Sequence, residues 1–330
     1  MAAMLALYAG CAETVKVSRV KPAEVDITGY RKIAVGNVTG NNGRTIAASL
    51  EQALHDSGRF EVLERSHLGM ILQEQGLSRS GAVEPDETVQ VGKMVGSAAL
   101  IFGNVGRRDY SQKRTHEDKA CGDRKRPYPC TEYVVTGTWT EQVHFKVVDT
   151  TTGKIIAMKH VARSREKQVS AIDAIPALTW DVESVSRDLD REVVREFMTA
   201  IAPHTVWEQV HLFTDGKLPE LEIGVNFAKA GQWPSAIGQF RAACEKADAD
   251  PGIQPRLKAR ARYDLGIALG YSGSYDDGIR ELEKAVRIQP EDTYVREIRR
   301  IKMFRSDAET LREQGMDSAP ATSFHFVDGG

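Results

Sequence analysis

The stretch Glu132-Tyr-Val-Val-Thr-Gly-Thr-Trp-Thr-Glu-Gln-Val-His-Phe-Lys-Val-Val-Asp149 alternates apolar and polar side chains over most of its length. Tyr133, Val135, Trp139, Val143, Phe145 and Val147 share one face, and Thr136, Thr138, Thr140, Gln142, His144 and Lys146 share the other. A period of two with one apolar face predicts a half-buried strand. Thr150-Thr-Thr-Gly-Lys154 turns the chain into a hairpin partner, Ile155 to Ala162. Upstream, Arg31 to Val38, Phe60 to Leu63 and Ala98 to Val105 read as shorter strands. Helical spacing separates them: Ile46, Ala47, Leu50, Ala53 and Leu54, then Leu68, Ile71 and Leu72, then Val89, Val91, Met94 and Val95. Val185, Leu189, Val193, Val194, Phe197 and Ile201 form a closing amphipathic helix that Pro203 ends. Together these elements predict an α/β domain over residues 30–205.

Residues 107–131 interrupt that domain as a polar insertion, expected to be irregular. Arg107 to Arg126 holds eight Lys or Arg against four Asp or Glu. The local excess suits either a solvated loop or an anionic partner, and long charged insertions are more often the former.

Lys32-Ile-Ala-Val35, Phe60-Glu-Val-Leu-Glu-Arg65, Ile71-Leu-Gln-Glu-Gln-Gly76, Val91-Gly-Lys93, Leu100-Ile-Phe-Gly-Asn-Val105 and Val148-Asp-Thr-Thr-Thr-Gly-Lys-Ile155 together resemble the successive motifs of the CsgG-type curli-assembly lipoproteins, over roughly residues 30–200. The resemblance implies an α/β periplasmic domain, a place in the cell envelope, and assembly with partners or as a homo-oligomeric ring. In that light Glu64, Arg65, Glu74 and Gln75 look like interface or turn residues. A CsgG-like outer-membrane secretion pore is the alternative. It would require membrane strands, and the charges of 107–131 and of Arg163 to Gln168 oppose that.

The C-terminal part repeats itself. Gly266, Leu269, Gly273, Tyr275, Gly278, Leu282, Ala285 and Pro290 fall in the register of a tetratricopeptide unit, and Gly224, Phe227, Gly231, Trp233, Ala236, Phe240 and Ala243 match that register one unit earlier, with extra residues near Asp248 to Pro255. An all-α tetratricopeptide module over 217–315, closed by a charged capping helix, is the expectation. Its concave surface would take a peptide or helix of a protein partner, with Asn226, Lys229, Arg262 and Asp264 as the exposed contacts. Residues 316–330 read as a flexible tail.

Met1 to Cys11 resembles the end of a bacterial lipoprotein signal peptide, with Ala9-Gly10 before Cys11 as the lipidated residue. Tyr8 and the absence of a preceding Lys or Arg leave open a greasy N-terminus with an incidental cysteine. On the first reading the protein is a periplasmic lipoprotein, most simply of the outer membrane, held by lipid alone, and residues 12–29 are a linker. In that oxidising compartment Cys121 and Cys130 are expected to form a disulfide, with zinc held by both and His116 as the rival. Cys244 is expected to stay reduced within a helix.

Enzyme chemistry has no foothold. The loop Gly36 to Thr45 lies where a phosphate loop belongs, but has Val38 where Gly is needed and Arg44 where Lys is needed. The eight histidines form no HExxH pair, and no Gly-x-Ser-x-Gly elbow occurs. No catalytic residue, metal site or cofactor is therefore expected. Forty-four basic against 46 acidic residues, a net charge of -2, give no global field for nucleic acid. The expected role is protein binding in envelope assembly.

Overall fold

The computed structural model describes residues 12–27, 29–63 and 98–316. The chain divides into two compact units: Ala23–Ala202, and a second that combines the N-terminal segment up to Pro22 with Pro203 and beyond.

In the α/β unit, β2 (Lys32–Gly40), β3 (Glu61–Leu63), β4 (Ala98–Asp123), β5 (Arg126–Asp149) and β6 (Ile155–Ile172) form a five-stranded sheet of order β3-β2-β4-β5-β6. β2 runs parallel to β3 and β4, and β4, β5 and β6 form an antiparallel meander. The first helix, α1 (Gly43–Asp56), follows a turn in which Asn42 adopts a left-handed φ of 65°. Its partner α2 (Val182–Ile201) is capped by the Asp181 carboxylate, which accepts the Ser184 N–H at 2.9 Å. Ile46, Leu50 and Leu54 of α1 and Val193, Val194 and Phe197 of α2 bury against Ile33, Val35, Ile101, Val143, Phe145 and Val147 of the sheet. Phe145 stacks on Phe197 with ring centroids 4.3 Å apart. A bulge between Val105 and Arg107 marks where β4 and β5 leave this core and run on as a hairpin, with β6 beside β5 as far as Glu132↔Ile172. At the root of this blade Trp139, Trp180, Val135, Val185 and Leu189 form a small cluster of their own.

Three expectations are corrected here. Residues 107–131 are not irregular: every residue from Arg107 to Asp123 faces a partner between Arg126 and Gln142. Backbone pairing satisfies the main-chain polar groups whatever the side chains are, so polarity does not forbid a strand. Arg163 to Gln168 does not end the hairpin but continues β6, because Arg163 pairs with Glu196, and Arg165 with Glu192 and Asp188, all on α2. Residues 12–29 are not a linker: Ala12–Lys21 is strand β1, and Ile27 is buried in the α/β core. The helices expected at 68–72 and 89–95, together with Glu64, Arg65, Glu74 and Gln75, lie outside the described residues, as do Cys11 and the tail from 317 on.

In the other unit β1 pairs antiparallel with β7 (His204–Phe213), from Ala12↔Phe213 to Lys21↔His204. Five helices follow: α3 (Pro219–Lys229), α4 (Trp233–Ala249), α5 (Pro255–Tyr271), α6 (Tyr275–Ile288) and α7 (Asp292–Glu313), each packed on the next. The β1/β7 ribbon touches the alternate helices α3, α5 and α7. Where α5 crosses α6 the backbones nearly meet. A methyl group added to Gly278 would lie 2.7 Å from the Gly266 carbonyl oxygen and 2.8 Å from the Gly270 nitrogen, both main-chain atoms that cannot swing aside.

Gly278→Ala is therefore expected to destabilise the unit by about 1–3 kcal/mol through overpacking, although alanine is the better helix former by about 0.5–1 kcal/mol. Thermal unfolding checks this; a raised Tm would contradict the close crossing.

Candidate functional site

The helical unit's inner face is built to hold extended chain, and the chain itself supplies it. Alternation places Val15 and Val17 of β1, and Val210 and Leu212 of β7, on one side of the ribbon. All four are at most 2% exposed, packed with Leu221, Val225, Tyr263 and Ile301 of the helices. Arg19, next in the same alternation, is also buried. Its Nε donates to Glu208 Oε1 at 2.8 Å, its Nη1 donates to Asp307 Oδ2 at 2.7 Å, and its guanidinium lies 4.2 Å from the Phe304 ring centre. A buried, paired and stacked arginine of this kind ties β1 to β7 and to α7 at once. At the other end of the ribbon the Phe213 ring sits edge-on to Tyr263, and the Arg260 guanidinium lies 4.5 Å from the Phe213 ring centre.

The four expected contact residues do not form one open surface. Asn226 and Lys229 on α3 are exposed, and Lys229 Nζ lies 3.0 Å from Glu13 Oε2 on β1. Arg262 is mostly covered and bonds to Glu281 at 2.8 Å and to Asp248. Asp264 is not exposed at all: both its oxygens accept the Phe213 N–H at 3.0 Å. Burial pushes its carboxyl well above the usual carboxylate range, against the opposing pull of the Phe213 N–H and of Arg260. The repeat register predicts Asp264 as an exposed contact on the inner face, but that face is filled by the ribbon. Arg19, Glu208 and Asp307 went unrecognised in the sequence. The alternation Val15-x-Val17-x-Arg19 was the available signal, hidden because its last member is charged.

In the α/β unit, the blade ends at a tip where Cys121 and Cys130 are joined in a disulfide with their Cα atoms 5.8 Å apart. The pair is diagonal, since Cys130 faces Lys119 and Cys121 faces Tyr128. With the two sulfurs bonded to each other, neither is a thiolate for zinc beside His116. Cys244 is free and buried on α4, and burial pushes its thiol up to about 12. Among the described residues no group of three or more His, Cys, Asp or Glu has the arrangement of a metal site.

Where the blade meets the core lies a second buried polar group. Glu141 of β5 and Asp190 of α2 are each 1% exposed and gather around Arg108, and one oxygen of each, Glu141 Oε1 and Asp190 Oδ1, has no hydrogen-bond partner. Asn42 Nδ2 donates to Asp190 Oδ2 at 2.8 Å, and Arg108 lies 3.6 Å from a carboxyl oxygen of each acid. One arginine cannot neutralise two buried carboxylates. Burial first, then the Asp190 charge, push the Glu141 carboxyl up to about 7. Glu141 thus holds its proton to near neutral pH, while Arg108 and Asn42 join the blade root, α2 and the β2–α1 turn through the two acids. It is sealed from solvent, which suits a latch better than a catalyst.

Among the described residues, a mixed sheet with two helices on one face, flanked in sequence by the two strands of a ribbon, defines the class, an α/β domain. The chain belongs to the family described as curli production assembly/transport component CsgG, whose model matches residues 12–211, more than half of the chain. That match takes in both ribbon strands. Similar solved structures include the C-terminal domain of LpoB from Salmonella enterica, 16% identical over 43% of this chain and 84% of that one, with a TM-score of 0.27. Lipoprotein GNA1162 from Neisseria meningitidis is 13% identical over 50% of this chain and 96% of that one, with a TM-score of 0.27. The PelC dodecamer from Paraburkholderia phytofirmans is 13% identical over 58% of this chain and 98% of that one, with a TM-score of 0.28. Comparison with curated proteins gives no match.

Because the folded chain holds the Glu141 proton more tightly than the unfolded chain does, the stability from this group is full below about pH 4.5 and lost as pH rises through about 7. Glu141→Gln keeps the shape of the neutral acid and removes the titration. It is expected to be more stable than the parent by about 1–3 kcal/mol at pH 8.5, with a flatter stability profile between pH 5 and 9. Denaturant melts across that range check it; a variant with unchanged slope and lower stability throughout would contradict the retained proton.

Proposed function

We propose that this protein is a periplasm-facing envelope lipoprotein, lipid-anchored at Cys11, that serves as an assembly factor by binding protein partners and carries out no chemistry of its own. Membership of the CsgG family supports the envelope placement. The observation that carries the adaptor reading is the polarity of the blade. One face presents Asp109, Ser111 and Lys113, then Thr136, Thr138 and Thr140, then Ser164, Glu166 and Gln168 in paired rows. On the other face Tyr110, Val135, Trp139 and Val169 are apolar but packed with Trp180, Val185 and Leu189, and Gln112, Arg114 and Lys167 stand beside them. Neither face offers an open apolar band.

The length of the hairpin, 26 residues in β4 and 24 in β5, favours the second reading, an oligomeric outer-membrane secretion pore, since a membrane strand needs only about 9–11 residues. The charges oppose it: each Arg or Lys facing mid-bilayer costs about 2–4 kcal/mol, repeated in every protomer of a ring. A water-exposed blade incurs no such cost.

The helical unit fits the tetratricopeptide reading in its alternating helices and close glycine crossing. Because the ribbon fills the inner face, partners are read as binding the surface left open around Asn226 and Lys229, or the blade. No helix among the described residues is long and apolar enough to cross a membrane.

Photo-crosslinking residues placed at Asn226, Lys229 and Thr138 in intact cells test this. The expected result is discrete adducts with envelope proteins from at least one position, and no conductance from purified protein in planar bilayers. Saturable single-channel currents without adducts would replace the adaptor by the pore.

A further inference from the structure

Across the face of the sheet opposite α1 and α2, three polar side chains stand in one row on neighbouring strands. Asn104 of β4 faces His144 of β5, and His144 faces His160 of β6. Both imidazoles are exposed, and they stack with ring centres 4.3 Å apart and planes only 13° from parallel. Two nitrogens bound to one metal at about 2.0–2.1 Å stand about 3 Å apart in cis and about 4 Å apart in trans. Rings stacked face to face aim their in-plane lone pairs side by side, so each exposed ring turns about its Cβ–Cγ bond to bring one nitrogen onto an ion shared between the strands.

A third donor is already oriented. The Asn104 amide nitrogen donates to Thr39 Oγ1 at 2.7 Å, which leaves its oxygen free to turn toward the histidines. Gly106 borders the same two side chains: a methyl group there would stand in ordinary contact, 3.8 Å from His144 Nε2 and 4.0 Å from Asn104 Oδ1. The nearest cations do not block the row. Lys146 Nζ is turned over the Phe102 ring at 5.6 Å, and Arg107 is bonded to Asp109.

We propose that His144 and His160 form a two-imidazole chelate for a late first-row divalent metal ion, Cu2+ before Ni2+ or Zn2+, with the Asn104 oxygen as third donor and water completing the shell. Two imidazole nitrogens argue against Mg2+ and Ca2+, which take oxygen shells. An open surface row imposes no geometry, so affinity follows the Irving–Williams order, which peaks at Cu2+. The site is independent of the protein-binding reading.

Cu2+ alone, titrated into the full chain against a competing chelator, tests the site. Losing an orienting partner costs about 10–100-fold in metal affinity. Loss of either ligand itself, in His144→Ala or His160→Ala, is therefore expected to weaken Cu2+ binding by at least about tenfold, while His211→Ala leaves it unchanged. The electron paramagnetic resonance spectrum of the one-equivalent complex is expected to show coupling to two imidazole nitrogens, and to one in each variant. Both histidines are exposed, and circular dichroism verifies that the variants fold. Unchanged Cu2+ affinity in both variants, or one coupled nitrogen in the parent, would overturn the proposal.

Discussion

The pairing of β1 with β7 is the constraint on which the rest of the structure depends. These two strands are separated in sequence by the whole of Ala23–Ala202, yet they pair from Ala12↔Phe213 to Lys21↔His204. The α/β unit is therefore, in sequence, an insertion between the two strands of the ribbon. Closing so long a loop costs chain entropy, though that cost grows only slowly with length. Burial of Val15, Val17, Val210 and Leu212 against the helices offsets it, as does the paired charge of Arg19. A ribbon alone would be marginal in water, and helices with an open apolar inner face would be prone to association. Each covers what the other leaves exposed.

The same division between backbone and side chain explains the blade. β4 and β5 continue past the core with hardly an apolar residue near the tip, because main-chain pairing satisfies the peptide groups and the disulfide joins the ends. The side chains are left to decide what the blade meets. Serine, threonine and paired charges suit water and protein surfaces, which is why a hairpin long enough to span a bilayer is read as a docking element.

Strong periodicity was legible in the sequence. The strand Glu132 to Asp149 and the helix Val185 to Ile201 follow directly from their spacing, as does the close helix crossing at Gly266 and Gly278. What stayed hidden had mixed or polar side chains. β1 was obscured by Lys16, Ser18 and Arg19 around its valines, and 107–131 by its charge. In both cases the partner strand, remote for β1 and adjacent for 107–131, supplies the order that local composition does not show. Asp264 misled for a related reason: a carboxylate on a repeat helix reads as a surface contact until the Phe213 N–H that it accepts is seen. The Glu141–Asp190 pair joins residues far apart in sequence, and no local pattern announces it. The family resemblance pointed to the α/β unit but stopped near residue 30, short of the strand that completes the other unit.

Amide hydrogen exchange resolved by residue over Ala12–Lys21 tests the central claim most directly. If β1 is held in the ribbon under the helices, the amides of this segment that bond to β7 exchange as slowly as those in the middle of α5, and Arg19→Ala speeds both groups together. Exchange of Ala12–Lys21 at the rate of an unstructured linker, with α5 still protected, would contradict the account and return the inner face of the helical unit to an outside partner.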